Sequence, residues 1–465
     1  MSVGRWRLPA ALGCESPGNL VAFVGGGGKT SLMFALAAVL PGRVVVTTTT
    51  RIFAAQMRLA PAIEYAADLS RLDQLLEAHG RCLVVGQVEG DKAFGVDPAL
   101  PAALLARPDV DFVLVEADGS RMRPVKAPAA HEPVIPPGTT LVVPVAGLDA
   151  LERPLEEVAH RPELVKRITN EEIGIRNEES GSAGAGERGN SSEDRQGHYL
   201  TAQGLARLLT HPEGGLKGVP EAARVVAFLN KAEGESRLAM GRTAAQLMLR
   251  EPRLAQVAIA TVRAAEPVRE VWQRVAAVVL AAGESRRMGH NKLLLPWGDT
   301  TVLGQTVANV RATNVHGLLV VTGHERDRVE RLFAGPDIQA VHNDNYGQGM
   351  LSSVQTAIRA LPESVAAALI VLGDQPMVTP AVIDRLLITY AGSPAGLVAP
   401  TYDGRRGNPV IIDRRHFAEL LDLPAEAAPR ALLQRHLDDL LLVPVEVEAV
   451  LHDLDRPEQY ERWRP

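Results

Sequence analysis

Cysteine and aromatic residues are scarce in this sequence. Only two of the 465 residues are cysteines, and Phe, Trp and Tyr together make up 4%. Two cysteines are too few for a disulfide framework, and Cys14 and Cys82 lack the Cys/His spacing of a zinc site. We therefore expect two inert thiols in a reducing compartment.

Long apolar runs and an excess of positive charge are also missing. No apolar run reaches the ~18 residues of a membrane span, and residues 1–20 carry Arg5, Arg7 and Glu15 without a continuous signal-peptide core. The net charge of −6 provides no basic field that would attract nucleic acid. We expect a cytoplasmic, soluble protein that binds neither nucleic acid nor membranes.

Short apolar runs alternate with amphipathic helical segments along both halves of the chain. Uninterrupted apolar strands between helices are typical of sheets that are buried on both faces. The fold class predicted is α/β, with two doubly wound, largely parallel sheets, and ligands are expected at the carboxyl ends of the strands. The predicted strands are Leu20–Val24, Val44–Val46, Cys82–Val85, Phe112–Val115, Leu141–Val145, Arg224–Leu229, Val275–Leu280, Leu318–Val321, Ala368–Leu372 and Gly396–Ala399.

Two segments suggest how the chain is divided. A charged, proline-interrupted stretch at Ala264–Gln273 precedes a fresh strand, which places one domain at residues 1–264 and the other at 275–465. Residues 176–198 contain no Val, Ile, Leu, Met or aromatic side chain. Such a segment cannot bury enough apolar surface to offset the entropy of ordering, so we predict a flexible insertion there.

A glycine loop follows the first strand and precedes a helix-forming run. Backbone N–H groups of such a loop and the helix N-terminus attract phosphate, a lysine reaches terminal phosphates, and a hydroxyl ligates Mg²⁺. Phe23 stands where the full motif has its first glycine, so this is a shortened Walker A (P-loop) motif. The alternative is a tight turn with no ligand. The predicted nucleotide-binding residues are Gly25, Gly26, Gly27, Gly28, Lys29 and Thr30.

Two acidic residues end a later strand of this half. Glu116 and Asp118 are two positions apart and thus on one face of an emerging strand. We predict that one of them, together with Thr30, holds Mg²⁺ through water. The alternative is a pair of solvated charges at a strand end.

A third polar element follows the Arg224–Leu229 strand. Asn230 and Lys231 resemble the start of the Asn-Lys-x-Asp element that recognises guanine, with Glu233 in place of the aspartate. This predicts ATP or GTP as the ligand of the first domain, with a preference for guanine as a hypothesis. The alternative is a polar loop.

The first half resembles the YqeC-like family of selenium-dependent hydroxylase accessory proteins. The resemblance is carried by Gly25–Thr30, Thr47–Ile52, Val115–Ser120, Lys126, Pro128 and His131–Pro136. The resemblance covers roughly Asn19–Val262. It implies an accessory role in the maturation of molybdenum hydroxylases, with such a hydroxylase as partner.

The second half opens with another strand and glycine turn. Arg287 and Lys292 follow Gly283 at a spacing that lets two cations surround a triphosphate, while the backbone of Ala282, Gly283 and Gly289 approaches the nucleotide. The spacing disfavours a Rossmann dinucleotide loop. The alternative is a basic loop on a solvated surface.

Acidic residues downstream could complete a metal site. Asp374 ends the Ala368–Leu372 strand beside Gly373, which suits Mg²⁺ held against an α-phosphate. Asp453 and Asp455 form a second pair, of which Asp455 could instead cap a helix beginning near Pro457.

This half resembles the MobA-like nucleotidyltransferases, and among them the molybdenum cofactor cytidylyltransferases. The resemblance is carried by Leu280–Gly289, Lys292, Thr322–His324, Asn345–Ser353, Gly373–Pro376 and Gly407–Val410. It implies a Rossmann-like nucleotidyltransferase fold. It also implies an enzyme that transfers CMP from CTP to a molybdopterin-type cofactor and releases pyrophosphate, with Mg²⁺ as cofactor. Ala282 in the loop favours CTP over GTP by resemblance.

The resemblance assigns catalysis to Arg287, Lys292 and Asp374. Ser352, Ser353 and Asn408 are candidates for orienting the substrates, although both serines could cap a helix that begins there. Two other functions remain open: nucleotide transfer to a sugar or alcohol phosphate, and a non-catalytic, nucleotide-gated cofactor carrier.

Overall fold

The computed structural model describes residues 4–170, 198–333, 335 and 337–465. The chain forms two compact units: the N-terminal unit, Arg7–Trp272, and the C-terminal unit, Gln273–Pro465 together with the residues up to Trp6. Except for His198, the predicted flexible insertion lies outside the described residues.

The N-terminal unit is built on a nine-stranded sheet with the order β14-β13-β12-β10-β1-β8-β2-β5-β4. The eight strands from β13 to β4 are parallel to one another. The strands of the N-terminal unit, nine of which form this sheet, are β1 (Asn19–Gly25), β2 (Val44–Thr48), β3 (Arg51–Phe53), β4 (Ile63–Tyr65), β5 (Arg81–Val85), β6 (Val88–Glu89), β7 (Lys92–Phe94), β8 (Phe112–Glu116), β9 (Val125–Lys126), β10 (Leu141–Gly147), β11 (Ala159–His160), β12 (Arg224–Asn230), β13 (Leu254–Ala260) and β14 (Val268–Gln273).

Helices form most of the connections between these parallel strands, whereas β8 leads to β10 through an irregular segment that contains β9. The central strands are apolar and fully buried: β1 reads Leu-Val-Ala-Phe-Val and β8 reads Phe-Val-Leu-Val. The helices are α1 (Leu8–Leu12), α2 (Lys29–Val39), α3 (Leu72–His79), α4 (Leu100–Leu105), α5 (Leu155–Val158), α6 (Pro162–Asn170), α7 (Ala202–Thr210) and α8 (Gly234–Met248).

The C-terminal unit contains an eight-stranded sheet with the order β19-β18-β15-β20-β23-β21-β22, in which β24 also pairs with β21. Strands β22 and β23 run against the other six. The strands of the C-terminal unit, eight of which form this sheet, are β15 (Val275–Ala281), β16 (Pro296–Trp297), β17 (Thr300–Thr301), β18 (Leu318–Thr322), β19 (Ile338–His342), β20 (Ala367–Leu372), β21 (Leu397–Tyr402), β22 (Arg405–Arg406), β23 (Val410–Asp413) and β24 (Leu440–Pro444).

Apolar clusters cover both faces of this second sheet. One cluster includes Val279, Leu369 and Leu386, and the other includes Val278, Ile370 and Leu420. The helices of the unit are α9 (Val302–Arg311), α10 (Arg326–Glu330), α11 (Met350–Ala360), α12 (Pro380–Ala391), α13 (Phe417–Asp422), α14 (Arg430–Arg435) and α15 (Pro457–Trp463).

The predicted fold class is confirmed: both units are α/β, and both sheets are largely parallel. All ten predicted strands are present. Strand β14, at the edge of the first sheet, lies within the stretch Ala264–Gln273 and was not among the predicted strands. Within the described residues, no helix combines the length and the apolar character needed to cross a bilayer.

Candidate active site

A cavity of about 290 Å³ opens at the carboxyl ends of strands β15 and β20 in the C-terminal unit. Parallel strands bring their carboxyl ends to one edge of a sheet, so residues distant in sequence meet there. The cavity is lined by Leu280, Ala282, Gly283, Ser285, Lys292, Leu293, Tyr346, Gly349, Met350, Ser353, Leu372, Asp374, Asp453 and Asp455.

Lys292 joins two of the acidic residues in this cavity. Its ammonium group forms an ion pair with Asp374 and lies 2.6 Å from Asp455 Oδ1. Arg287 Nη1 lies 2.8 Å from the other oxygen of Asp455. The structure thus brings the three predicted catalytic residues, Arg287, Lys292 and Asp374, together around one carboxylate.

The exposure of the two cations differs. The Lys292 side chain is only 13% exposed, whereas that of Arg287 is 70% exposed. Burial alone would lower the pKa of Lys292, but the charges of Asp374 and Asp455 outweigh it and raise the pKa. Lys292 is therefore a buried cation in the lining of the cavity, and Arg287 is an exposed cation that reaches it through Asp455.

Asp374, Asp453 and Asp455 each offer a carboxylate oxygen, and these oxygens lie within 4.8 Å of one another. Burial, with the neighbouring carboxylates, raises the pKa of Asp453. For Asp455, burial acts in the same direction, but the hydrogen bond and charge of Lys292 prevail and lower the pKa. The three oxygens are hard ligands of the kind that Mg²⁺ prefers.

The structure separates the two roles considered for Asp455. Helix α15 begins at Pro457 with Arg456 as its N-cap residue. The backbone amides of Asp455 and Arg456 donate to Gln459 Oε1 at 2.9 and 2.8 Å. The Asp455 carboxylate contacts the two cations, so it belongs to the cavity and the capping alternative is wrong.

The glycine turn predicted to approach the nucleotide has left-handed backbone at two points. Ser285 has φ 53° and Gly289 has φ 73°. The Ser285 hydroxyl accepts a hydrogen bond from the Lys292 amide at 3.1 Å, which closes the loop over seven residues. Ala282 and Gly283 line the cavity, whereas Gly289 is not among its lining residues.

The predicted substrate-orienting serines lie in the first turn of α11, which begins after Gly349. Neither caps the helix. Asn343 Nδ2 donates to Ser352 Oγ at 2.9 Å and to Ser353 Oγ at 3.0 Å, and Ser352 donates in turn to the Gly349 carbonyl at 2.8 Å. Of the two, Ser353 lines the cavity.

Sequence reasoning missed Asn343, which is 2% exposed. Its Oδ1 accepts from the Asn345 amide at 3.0 Å, so both ends of the amide are used. The available signal was its position directly after strand β19, where polar residues gather in this fold class.

The third predicted substrate residue, Asn408, lies in a second cavity of about 600 Å³. This cavity shares Gly349, Met350 and Leu372 with the first one, so the two are adjacent. Arg406 and Arg430 contribute positive charge to its lining. The adjacent cavities offer room for two ligands that meet near Met350.

In the N-terminal unit, the glycine loop connects β1 to α2. Gly25, Gly27 and Gly28 have φ values of 95°, 71° and 108°, which side chains rarely adopt. A Cβ on Gly27 would lie 2.1 Å from the amide nitrogen of Gly147. This close approach of loop and strand β10 is possible only for glycine.

Lys29 and Asp118 are buried beneath this loop. Lys29 Nζ donates to the Gly25 carbonyl at 2.6 Å and lies 3.1 Å from Asp118 Oδ1. The other oxygen of Asp118 pairs with Lys126 Nζ at 3.1 Å, and its carboxylate also accepts from the Gly25 amide. Asp118 therefore fixes the loop, which differs from the metal role predicted for it.

Glu116, by contrast, faces a cavity of about 450 Å³ beside Gly28, Lys29 and Thr30. Thr30 Oγ1 donates to Glu116 Oε2 at 2.7 Å. Burial raises the pKa of Glu116, against the opposing charge of Lys29. Both carboxylates contact Lys29, but Glu116 meets Thr30 at the cavity, whereas Asp118 is held by Lys126 and the Gly25 amide.

Asn230 and Lys231 also line this cavity, but both have protein partners. Asn230 Nδ2 donates to the Gly27 carbonyl at 2.8 Å, and its Oδ1 accepts from the Val262 amide at 3.1 Å. Lys231 Nζ lies 2.7 Å from Asp149 Oδ2. Asn230 therefore ties the glycine loop to the ends of strands β12 and β13.

A buried ion-pair chain behind the loop was not predicted. Lys126 Nζ lies 2.9 Å from Glu132 Oε2, and Arg161 Nη1 lies 2.7 Å from the same oxygen. Burial alone would raise the pKa of Glu132, but the hydrogen bonds from Lys126 and Arg161 lower it to about 2. In the sequence, Lys126 and His131–Pro136 contributed to the family resemblance, but their spacing did not predict this ion pairing.

Comparison with known proteins identifies a different family in each unit. Residues 21–163 match the family described as YqeC protein, and residues 277–440 match the MobA-like NTP transferase domain. The YqeC protein of Escherichia coli (strain K12) is 32% identical over 226 residues, which cover 47% of this chain and 78% of that protein.

The C-terminal unit is also similar to a protein of Escherichia coli. The molybdenum cofactor cytidylyltransferase of Escherichia coli (strain K12) is 27% identical over 184 residues, which cover 39% of this chain and 92% of that protein. Among solved structures, the homologue of Mycobacterium tuberculosis Rv0371c from Mycobacterium sp. strain JC1 is 32% identical, covers 41% of this chain and 95% of its own, and has a TM-score of 0.38.

Proposed function

Because the chain belongs to the YqeC family and joins to it a MobA-like NTP transferase domain, we propose that its C-terminal unit transfers CMP from CTP to a molybdopterin-type cofactor and releases pyrophosphate. The choice of CTP and of this acceptor follows the similarity to the molybdenum cofactor cytidylyltransferase.

One observation carries the proposal. Lys292 lies between Asp374 and Asp455 in the wall of a cavity that also includes the Ala282–Gly283 turn. A nucleotidyltransferase has to bring a cation, an acid-held metal and a close backbone to one triphosphate. All three requirements are met by residues that line this cavity.

The reaction needs no covalent protein intermediate. A phosphate oxygen of the acceptor attacks the α-phosphorus of CTP in line, the new P–O bond forms, and the bond to the β-phosphate breaks with its electrons leaving on pyrophosphate. Lys292 stabilises negative charge on the α-phosphate, and Arg287 offsets the negative charge of the β- and γ-phosphates, which leave as pyrophosphate.

The acidic group fits a divalent cation. Three carboxylates face one buried cation, Lys292, so the cluster carries excess negative charge that Mg²⁺ would neutralise. Asp374, Asp453 and Asp455 would hold the ion, which supplies charge neutralisation at the phosphates.

The adjacent 600 Å³ cavity is the proposed acceptor site. Asn408, Arg406 and Arg430 line it, and a phosphate-bearing acceptor suits two guanidinium groups. Ser353 lies in the first cavity, close to the shared Gly349 and Met350, where the two substrates would meet.

Pyrophosphate release tests the proposal. The full chain is incubated with Mg²⁺ and molybdopterin cofactor, and with CTP, GTP or ATP in parallel. We expect release with CTP, and a loss of about 10²- to 10³-fold in kcat for Asp374→Asn. Asp337→Asn is the matched control, since Asp337 pairs with Arg311 at the surface.

The outcomes separate the alternatives. Release with a sugar phosphate but not with the molybdopterin cofactor would show a different nucleotidyltransferase. Tight cofactor binding without any release would favour a nucleotide-gated carrier. Full activity of Asp374→Asn with Mg²⁺ would refute the role of Asp374.

For the N-terminal unit we propose binding of ATP or GTP with Mg²⁺, in support of molybdenum hydroxylase maturation. The left-handed glycines of the loop, Lys29 beneath it and the Thr30–Glu116 contact at the cavity support this. Equilibrium binding of ATP and GTP to the full chain, with CTP in excess to fill the other unit, tests it.

A further inference from the structure

A second group of metal-ligating side chains lies in the C-terminal unit. His416, Glu419 and His436 each offer one ligand atom, and these atoms lie within 4.8 Å of one another. None of the three lines the 290 Å³ or the 600 Å³ cavity. The cluster is thus separate from the proposed active site.

The local fold explains how the three side chains meet. His416 and Glu419 are three residues apart at the start of α13, so they project from the same face. His436 is the residue that ends α14. Its Nε2 lies 2.5 Å from Glu419 Oε2, and its ring centroid lies 4.7 Å from that of His416.

A fourth residue orients the buried histidine. His416 Nε2 lies 2.7 Å from Asp439 Oδ2, and the side chain is 8% exposed. Metal-bound imidazoles commonly place their other ring nitrogen on a carboxylate, which fixes the tautomer and the ring orientation. With Nε2 held by Asp439, Nδ1 of His416 is the nitrogen left for a metal.

The donor set selects the metal. Two imidazoles with one carboxylate suit Zn²⁺ and related transition metals, whereas Mg²⁺ prefers oxygen ligands alone. Ligand atoms of a tetrahedral zinc site are separated by roughly 3.3 Å, given bonds of ~2.0–2.1 Å. In the structure the ligand atoms lie within 4.8 Å of one another, and His436 Nε2 lies 2.5 Å from Glu419 Oε2, so these two atoms would have to move apart for an ion to enter.

Two arginines balance the charge of the carboxylates. Arg435 Nη1 lies 3.1 Å from Glu419 Oε1, and Arg415 Nη2 lies 2.8 Å from Asp439 Oδ1. Both guanidinium groups are about half exposed, and Arg415 Nη2 also donates to the Pro394 carbonyl at 2.6 Å. Each carboxylate keeps its second oxygen on a histidine.

We propose that His416, Glu419 and His436 bind one Zn²⁺ ion, with Asp439 orienting His416 and a water molecule completing the coordination. The ion would join α13 to the end of α14. Residues Ala425–Pro429 of the connection between these helices line the 600 Å³ cavity. The zinc site would therefore stabilise one wall of that cavity.

Cobalt serves as the spectroscopic probe for this site. Co²⁺ is titrated into the full chain with excess Mg²⁺, which occupies the carboxylates of Asp374, Asp453 and Asp455. We expect the strong visible bands of four-coordinate Co²⁺ at one equivalent, and their displacement by Zn²⁺. Six-coordinate Co²⁺ on oxygen ligands absorbs far more weakly, so the two sites are distinguishable.

Variants link the signal to the cluster. His416→Ala and His436→Gln should each abolish the bands, and Asp439→Asn should weaken Co²⁺ binding by about 10-fold or more. His452→Ala is the matched control, because His452 pairs with Glu448 at 2.8 Å and belongs to neither three-ligand group found among the residues that the structure describes. His436, which is partly exposed, keeps the test valid if the buried His416 variant fails to fold.

Hydrogen exchange measures the effect on the cavity wall. Zn²⁺ should slow amide exchange in residues 425–428 of the wild-type chain and not in His436→Gln. Absence of the cobalt bands, or bands that persist in both histidine variants, would overturn the proposal.

Discussion

Replacing Lys292 with methionine tests the electrostatic basis of the proposed reaction. Methionine keeps the length and apolar character of the side chain but removes the ammonium group that pairs with Asp374 and Asp455. A preorganised charge-stabilising contact contributes about 2.7–4 kcal/mol to transition-state stabilisation. We expect kcat for pyrophosphate release to fall by about 10²- to 10³-fold, with a smaller change in KM for CTP.

The same substitution should also lower stability. Breaking a buried ion pair costs about 3–5 kcal/mol, because it leaves an unpaired charge. Here Asp455 is 34% exposed, so solvent and Arg287 compensate for part of the loss. We expect about 1–3 kcal/mol by urea denaturation, and a smaller loss with Mg²⁺, which neutralises the same carboxylates.

Two control variants make the result specific. Lys292→Arg retains the charge and should recover part of the activity. Arg286→Met removes a cation from the same loop, but Arg286 is 80% exposed and pairs with Glu284, so activity should change less than 3-fold. A kcat for Lys292→Met close to that of Arg286→Met would refute the role assigned to Lys292.

Three further substitutions test other contacts. Gly27→Ala should abolish nucleotide binding by the N-terminal unit, since its Cβ would lie 2.1 Å from a backbone nitrogen, whereas Gly18→Ala, also at positive φ but with open space, should bind normally in the same assay. The pKa of Glu132 is lowered to about 2, so its stabilisation is present above about pH 4.5 and lost as the pH falls towards 2. Thermal unfolding of Glu132→Gln should show less of this acid dependence than the wild type; equal dependence would contradict the pairing. Asn343→Ala leaves two hydroxyls without their donor and should cost about 1–3 kcal/mol in urea denaturation, with a raised KM for substrate; unchanged values for both would refute its positioning role.

Ten strands of the two sheets could be predicted because they are apolar runs buried on both faces, whereas others, such as β13, β19 and β24, were not predicted. An uninterrupted run such as Phe112–Val115 has no solvated side, and the structure places it fully buried in the middle of the first sheet. Directions were harder to predict. Strands β22 and β23 run against their neighbours, and a short apolar run such as Val410–Ile412 carries no signal of direction.

Strand β14 lies where the domain boundary is predicted and was not itself predicted as a strand. Its sequence contains Arg269 and Glu270 and follows a proline, features that are typical of a connection. In the structure, Glu270 is 4% exposed because Arg242 from α8 lies 2.6 Å away and Trp272 Nε1 donates to it at 2.7 Å. A charge that is buried by a tertiary ion pair cannot be recognised from local composition.

Site residues in local motifs were predicted, whereas contacts that depend on tertiary packing were not. Lys292 and Asp374 belong to motifs at strand ends, and parallel strands bring such ends together. The partners of Asp118 depend on Lys126, which returns to the loop after a turn, and the meeting of His416 with His436 depends on packing between two helices. Spacing in the sequence contains no information about these contacts.

The two lysines predicted to bind phosphate have different contacts in the two units. Lys29 is 2% exposed and donates to the Gly25 carbonyl and to Asp118, whose carboxylate also bonds to the loop and to Lys126. A phosphate must therefore draw Lys29 away from contacts that already satisfy it. Both lysines line cavities, but Lys292 Nζ contacts the side chains of Asp374 and Asp455 rather than a loop carbonyl, so a nucleotide can reach its charge without displacing the loop. Nucleotide binding should accordingly change the loop contacts of the N-terminal unit and leave those of the C-terminal unit in place.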